Sequence, residues 1–139
     1  MAQSVREVMT ANPIALPATS SVTEAARTMR DSNIGNVIVL DNGRICGIVT
    51  DRDITIRGVA EGRDISKLKL GDICSREITT LSPADSVDDA VRLMREKAIR
   101  RLPVVEGGKP VGIVSLGDLA VERDPHSALG NISGAPPNR

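Results

Sequence analysis

The chain has 139 residues, 40% hydrophobic and 26% charged, enough for one compact domain or two small units sharing a core. Eighteen basic side chains balance eighteen acidic ones, which removes the cationic excess that duplex nucleic acid binding draws on. Phe, Tyr and Trp are absent, so no aromatic platform exists for stacked single-stranded bases, and the core is expected to consist of Val, Ile, Leu, Met and Ala.

In chain order, Val5 to Met9 reads as a short helical turn and Ile14-Ala15-Leu16 as a brief extended piece. Ser21 with Glu24 has the spacing of a capping box, in which hydroxyl and carboxylate satisfy orphan N–H groups. Val22, Ala25, Ala26 and Met29 follow at i, i+3, i+4 and i+7, the stripe of a helix packed on one face. Val37 to Leu40 and Ile45 to Val49 flank Asp41-Asn42-Gly43-Arg44, and Asn-Gly predicts a tight hairpin turn. A second helix is predicted from Val49 to about Gly58, and then a linker from Gly58 to Lys69.

The order then repeats. At an offset of 65 (87 − 22), Val5 to Ile54 lie on Leu70 to Leu119 without a gap, and about fourteen of those fifty positions are identical. The second copy predicts a helical turn (Leu70 to Cys74), an extended piece (Ile78 to Leu81) and a helix from Ser86 carrying Val87, Ala90, Val91 and Met94. A hairpin around Glu106-Gly107-Gly108-Lys109 and a last helix after Val114 complete it. Boundaries follow as repeat 1 over 1–62, repeat 2 over 63–123 and a tail over 124–139. Pro125, Pro136 and Pro137 make the tail's end a candidate for mobility. Each copy is helix–strand–helix–strand–strand–helix, so the expected class is α+β. Neither copy alone buries enough surface, which predicts sheet-to-sheet packing about a pseudo-twofold axis.

The copies agree most closely where a strand enters a helix. Gly47-Ile48-Val49-Thr50-Asp51-Arg52-Asp53 faces Gly112-Ile113-Val114-Ser115-Leu116-Gly117-Asp118. Thr50 with Asp53, and Ser115 with Asp118, are also spaced as capping boxes, and singly such a pair specifies only a helix start. Two equivalent corners could also offer a hydroxyl and a carboxylate to a ribose diol and a helix N-terminus to a phosphate. The glycine before each corner permits close approach of a backbone or a ligand.

The tandem repeat, this Gly-x-x-[Thr/Ser]-x-x-Asp signature, Val8-Met9-Thr10 followed by Pro13, and Ile99-Arg100-Arg101-Leu102-Pro103-Val104 together resemble a pair of cystathionine β-synthase-type (CBS) domains, or Bateman module. The resemblance covers residues 4 to about 123 and is similar to short free-standing bacterial members. It implies a homodimeric, flat module that binds AMP, ADP, ATP or S-adenosylmethionine in two clefts between the repeats. Thr50 and Asp53 would hold ribose and first phosphate in one cleft, and Ser115 and Asp118 in the other. The adenine would rest on Asn12 to Ala15, including Ile14, and on Glu77 to Thr79.

The copies also differ. Arg100 and Arg101 align with Gly35 and Asn36, so only the second copy sets two guanidinium groups before its hairpin, where one could meet a phosphate or point to solvent. Arg52 aligns with Gly117, and the two corners are expected to differ in phosphate preference.

No nucleophile–base set and no phosphate loop is legible, so the chain is not expected to be an enzyme, and no cofactor is required beyond an adenine nucleotide as ligand. Cys46 and Cys74 align with Val111 and Met9 and read as small buried hydrophobes. His126 is a lone tail histidine, so no metal site is expected. Runs such as Val37 to Leu40 are too short to span a bilayer, no secretory start is present, and two cysteines make no disulfide framework, which predicts a cytoplasmic protein with no membrane partner. The function expected is an energy-sensing regulatory module acting in trans on an unidentified protein. The alternatives are a structural dimer without a ligand, and a redox- or metal-responsive protein using the two cysteines.

Overall fold

Helix caps and hairpin turns punctuate the chain. The computed structural model describes residues 3–76 and 78–135. Its elements are α1 (Val5–Val8), β1 (Thr10–Ala11), β2 (Ala15–Pro17), α2 (Val22–Ser32), β3 (Asn36–Asp41), β4 (Arg44–Thr50), α3 (Asp51–Asp53), α4 (Leu70–Ile73), α5 (Val87–Lys97), β5 (Arg101–Glu106), β6 (Lys109–Ser115), α6 (Leu116–Arg123) and α7 (Ala128–Gly134). Asn42 and Gly43 take φ of 53° and 78°, and Gly107 and Gly108 take 63° and 80°. Positive φ at both central residues suits the twist of the flanking strands, so both turns close two-residue hairpins.

The class is α+β with two three-stranded sheets, ordered β2-β3-β4 and β1-β6-β5. Both hairpins slip register, between Val39 and Leu40 and between Val104 and Val105. Cys46 and Val111 are the extra, unpaired residues of these bulges. The Ser21 and Ser86 hydroxyls each accept the N–H of the residue three further on, at 3.0 Å. The buried stripe is narrower than predicted. Val22, Ala25 and Met29 are buried on α2, and Val87, Ala90 and Met94 on α5, whereas Ala26 and Val91 are exposed.

The compact units are Ile14–Ile78, and Met1–Pro13 with Thr79–Arg139. They are offset from the repeats at 1–62 and 63–123 because each unit is completed by the leading segment of the other repeat. In the Ile14–Ile78 unit, Val22 N–H donates to Leu68 O, Leu70 N–H to Ser20 O and Gly71 N–H to Ala18 O, each at 2.9 Å. The same three bonds recur in the other unit as Val87 to Gln3 (3.1 Å), Val5 to Asp85 (2.8 Å) and Arg6 to Pro83 (3.1 Å). One core gathers Val22, Met29, Val37, Val39, Val49, Leu68, Leu70 and Ile73, and the other Val5, Leu81, Val87, Met94, Leu102, Val104, Val114 and Leu119.

Three expectations change. The helix predicted to Gly58 is α-helical only through Asp53 and then widens into a π-helical stretch, Ile54–Val59. Gly58 is buried there, and a methyl on it would lie 2.8 Å from Ile65 Cδ1. The predicted linker is ordered, with a 3₁₀ turn at Ile65–Lys67 and Leu68 in the core. Ile78 to Thr80 form no strand, and only Leu81 bridges, in parallel, to Val104. Within the tail, Ala128–Gly134 folds as α7 against α6, since Gly130 is buried within reach of Asp124 O and Pro125. Pro136 and Pro137 lie outside the described residues. No helix among the described residues is long and apolar enough to cross a membrane.

Candidate functional site

Thr50 and Asp53 are brought together by the end of β4 turning into α3. Thr50 N–H donates to Asp53 Oδ2 at 2.8 Å, and Asp53 N–H donates to Thr50 Oγ1 at 3.1 Å. Ser115 and Asp118 repeat these bonds at the same 2.8 and 3.1 Å, where β6 meets α6. Both corners are therefore complete capping boxes. The box engages one carboxylate oxygen and an acceptor lone pair of the hydroxyl. It leaves Oδ1 of each aspartate and the hydroxyl proton outside the box. All four residues are half-buried.

The glycines before the corners admit protein atoms. A Cβ on Gly47 would fall on Ser75 O and 3.1 Å from Cys74 Sγ, and one on Gly112 would fall on Met9 Sδ. The close approach is thus made by each unit's exchanged segment.

The first corner carries cations. Arg57 Nε lies 4.0 Å from Asp53 Oδ1, while Arg57 Nη1 donates to Ile73 O at 3.1 Å. Sequence reading passed over Arg57, although its place four residues after Asp53 was a readable helical pairing. Arg52 is exposed, and its N–H bonds Asp51 Oδ1 at 2.8 Å. Ile14 belongs to this unit, where its carbonyl accepts Ile38 N–H at 2.9 Å.

The second corner is walled. Asp118 lines a cavity of about 340 Å³ with Glu7, Val8, Val121, Glu122, Ser133 and Gly134. A Cβ on Gly117 would sit 2.7 Å from Ser133 Oγ, so the glycine makes the room that α7 occupies. Asn12 and Thr79 lie in this unit. Asn12 has φ 54° and donates its N–H to Val111 O at 3.3 Å. Glu77 lies outside the described residues. The two expected arginines diverge. Arg101 is the cross-strand neighbour of Ser115. Arg100 lines a different cavity of about 540 Å³, with Val91, Met94, Leu116, Leu119 and Arg123 among its walls.

Among the described residues, no group of three or more His, Cys, Asp or Glu side chains is placed to hold a metal ion. Cys74 is buried, Cys46 is half-buried, and both join the apolar cluster of the Ile14–Ile78 unit.

Comparison with known proteins gives a consistent result. The CBS domain family model matches twice, over residues 5–58 and 70–123. The CBS domain-containing protein YhcV of Bacillus subtilis is 40% identical over 134 residues, covering 94% of this chain and 95% of that protein. The crystal structure of Hypoxic Response Protein I, known from Mycobacterium tuberculosis and solved with two coordinated zinc ions, superposes with a TM-score of 0.77 at 32% identity. That match covers 86% of this chain and 98% of the other. The CBS domain pair of protein MJ0100, in complex with 5′-methylthioadenosine and S-adenosyl-L-methionine, superposes with a TM-score of 0.76 at 27% identity, covering 86% and 94%.

Proposed function

This chain belongs to the CBS-domain family as a tandem pair of a generally regulatory, non-catalytic type, and from that premise we propose that it binds adenosine-containing ligands at its two strand-to-helix corners. One observation carries the reading. Two equivalent, half-exposed corners each hold an alcohol and an acid whose capping box leaves a carboxylate oxygen and a hydroxyl proton for a ribose diol. The complex of the MJ0100 pair with two adenosine compounds supports the ligand class. Thr50 and Asp53 take the sugar at one corner and Ser115 and Asp118 at the other. Ile14, Asn12 and Thr79 serve the adenine, and Arg52 and Arg101 are the cations for a phosphate. Arg100, on a separate cavity, is a weaker candidate. The module works as a homodimer and reports its occupancy in trans to a protein partner.

Calorimetric titration with AMP, ADP, ATP and S-adenosylmethionine tests this reading. Asp53→Asn and Asp118→Asn should each weaken one corner by about ten-fold or more, because a charge-assisted bond is lost while the amide oxygen can still cap the helix. Binding that survives unchanged in the double variant overturns the residue assignment. Absence of heat with all four compounds leaves a structural dimer without a nucleotide.

A further inference from the structure

The chain's two cysteines are far apart in sequence and adjacent in the fold. Cys46 is the extra residue of the β4 bulge, and a bulge re-aims the side chain it inserts. Cys74 caps α4, one residue before the bridge that pairs Ser75 with Ile48. The two side chains converge on one apolar cluster, with Cys74 8% exposed and Cys46 packed on it from the half-exposed side. A Cβ on Gly47, next to Cys46, would lie 3.1 Å from Cys74 Sγ. Burial pushes the Cys74 thiol above its ordinary value, and the neighbouring Cys46 thiol adds to the rise, while Arg76 opposes it.

The other unit supplies an internal control. Its bulge residue is Val111, and the side chain packed on its glycine is Met9. Val111 and Met9 both pack against that unit's core, so the paired positions meet twice in the molecule. Only one of the two meetings carries thiols.

We propose that Cys46 and Cys74 are a modification site: a dithiol that peroxide-class oxidants convert reversibly to an intramolecular disulfide. The Cys46 thiolate, nearer to solvent, attacks the peroxide O–O bond and becomes a sulfenic acid, releasing hydroxide that takes up a proton as water. The Cys74 sulfur then attacks the Cys46 sulfur, the S–S bond forms, and the sulfenic oxygen leaves as a second water. Two thiols lose two electrons and two protons, and one peroxide is reduced to two waters. A small thiol reverses the bond by exchange. The closed loop runs from residue 46 to 74 and contains Thr50, Asp53 and Arg57, so oxidation ties β4 to the end of α4 around the whole first corner. The site does not depend on any ligand at that corner.

Reduced protein treated with hydrogen peroxide, then alkylated and weighed intact, tests the proposal. The expected product has lost both reactive thiols and about 2 Da as a single chain, with a Cys46–Cys74 peptide after digestion and full recovery in dithiothreitol. Its melting temperature should rise by about 5 °C over the reduced form, since a cross-link restricts the unfolded chain. Cys46→Val and Cys74→Met place in this unit the residues that the other unit holds at the same positions, so they keep the packing while removing the chemistry. Each should abolish the mass loss and the thermal shift. A chain-to-chain disulfide, a sulfinic acid on Cys46, or two thiols that stay independently reactive after peroxide would each overturn the proposal.

Discussion

The two strand-to-helix corners share one hydrogen-bond pattern and differ in what stands beside it. At the first, Arg52 is exposed and Arg57 reaches toward Asp53 from a widened helical turn. At the second, Gly117 replaces Arg52, a regular eight-residue helix follows, and α7 closes over the glycine through Ser133. A duplicated backbone therefore carries two environments, one open and cationic, the other walled and lined by Glu7 and Glu122 as well as Asp118. A capping box preserves local geometry whatever lies next to it, which leaves the flanking positions free to diverge.

The glycines preceding the corners give the largest test of how alike the units are. Gly47→Ala would drive its methyl onto a backbone carbonyl, Ser75 O, which cannot turn away, whereas Gly112→Ala meets first the flexible side chain of Met9. Urea titration should show a loss of about 3 kcal/mol for the first and about 1 kcal/mol for the second. Equal losses would mean that the exchanged segments pack alike in both units.

The wall at the second corner is tested by copying the first. Gly117→Arg, with no room beside Ser133, should dislodge α7 and cost about 1–2 kcal/mol. The expected sign is rapid proteolytic nicking between Arg123 and Ser127, while Arg52→Gly leaves the cleavage pattern unchanged. Resistance to protease in Gly117→Arg would show that α7 does not need the glycine.

The smallest effect concerns the helix ends. Asn33 and Ala98, at equivalent C-caps, both have φ of 54°, a left-handed conformation that Asn tolerates better than Ala. Ala98→Asn should stabilise by about 0.5 kcal/mol and Asn33→Ala should destabilise by a similar amount, read as opposite shifts of the thermal midpoint. Shifts of one sign would place the difference in side-chain contacts instead.

Much of this architecture was legible. The repeat offset, the hairpin turns at Asn42-Gly43 and Gly107-Gly108, and the serine caps of α2 and α5 are local matters, decided by residues a few positions apart. The pairing of Thr50 with Asp53 and of Ser115 with Asp118 was readable for the same reason. The Asp53–Arg57 approach was readable too, as a helical i,i+4 spacing. The divergence of Arg100 from Arg101 was not. Adjacent residues at a strand start leave in different directions, and their destinations depend on which helices pack nearby.

By itself the sequence determined two copies of one α+β unit, their turns and caps, and a doubled alcohol–acid corner, because each of these follows from short-range chemistry. Only the tertiary structure decided that the leading segments change places, that a glycine at 117 admits the terminal helix, and that Cys46 and Cys74 meet. Those outcomes depend on contacts between residues distant in the chain, where burial rather than local preference selects the partner.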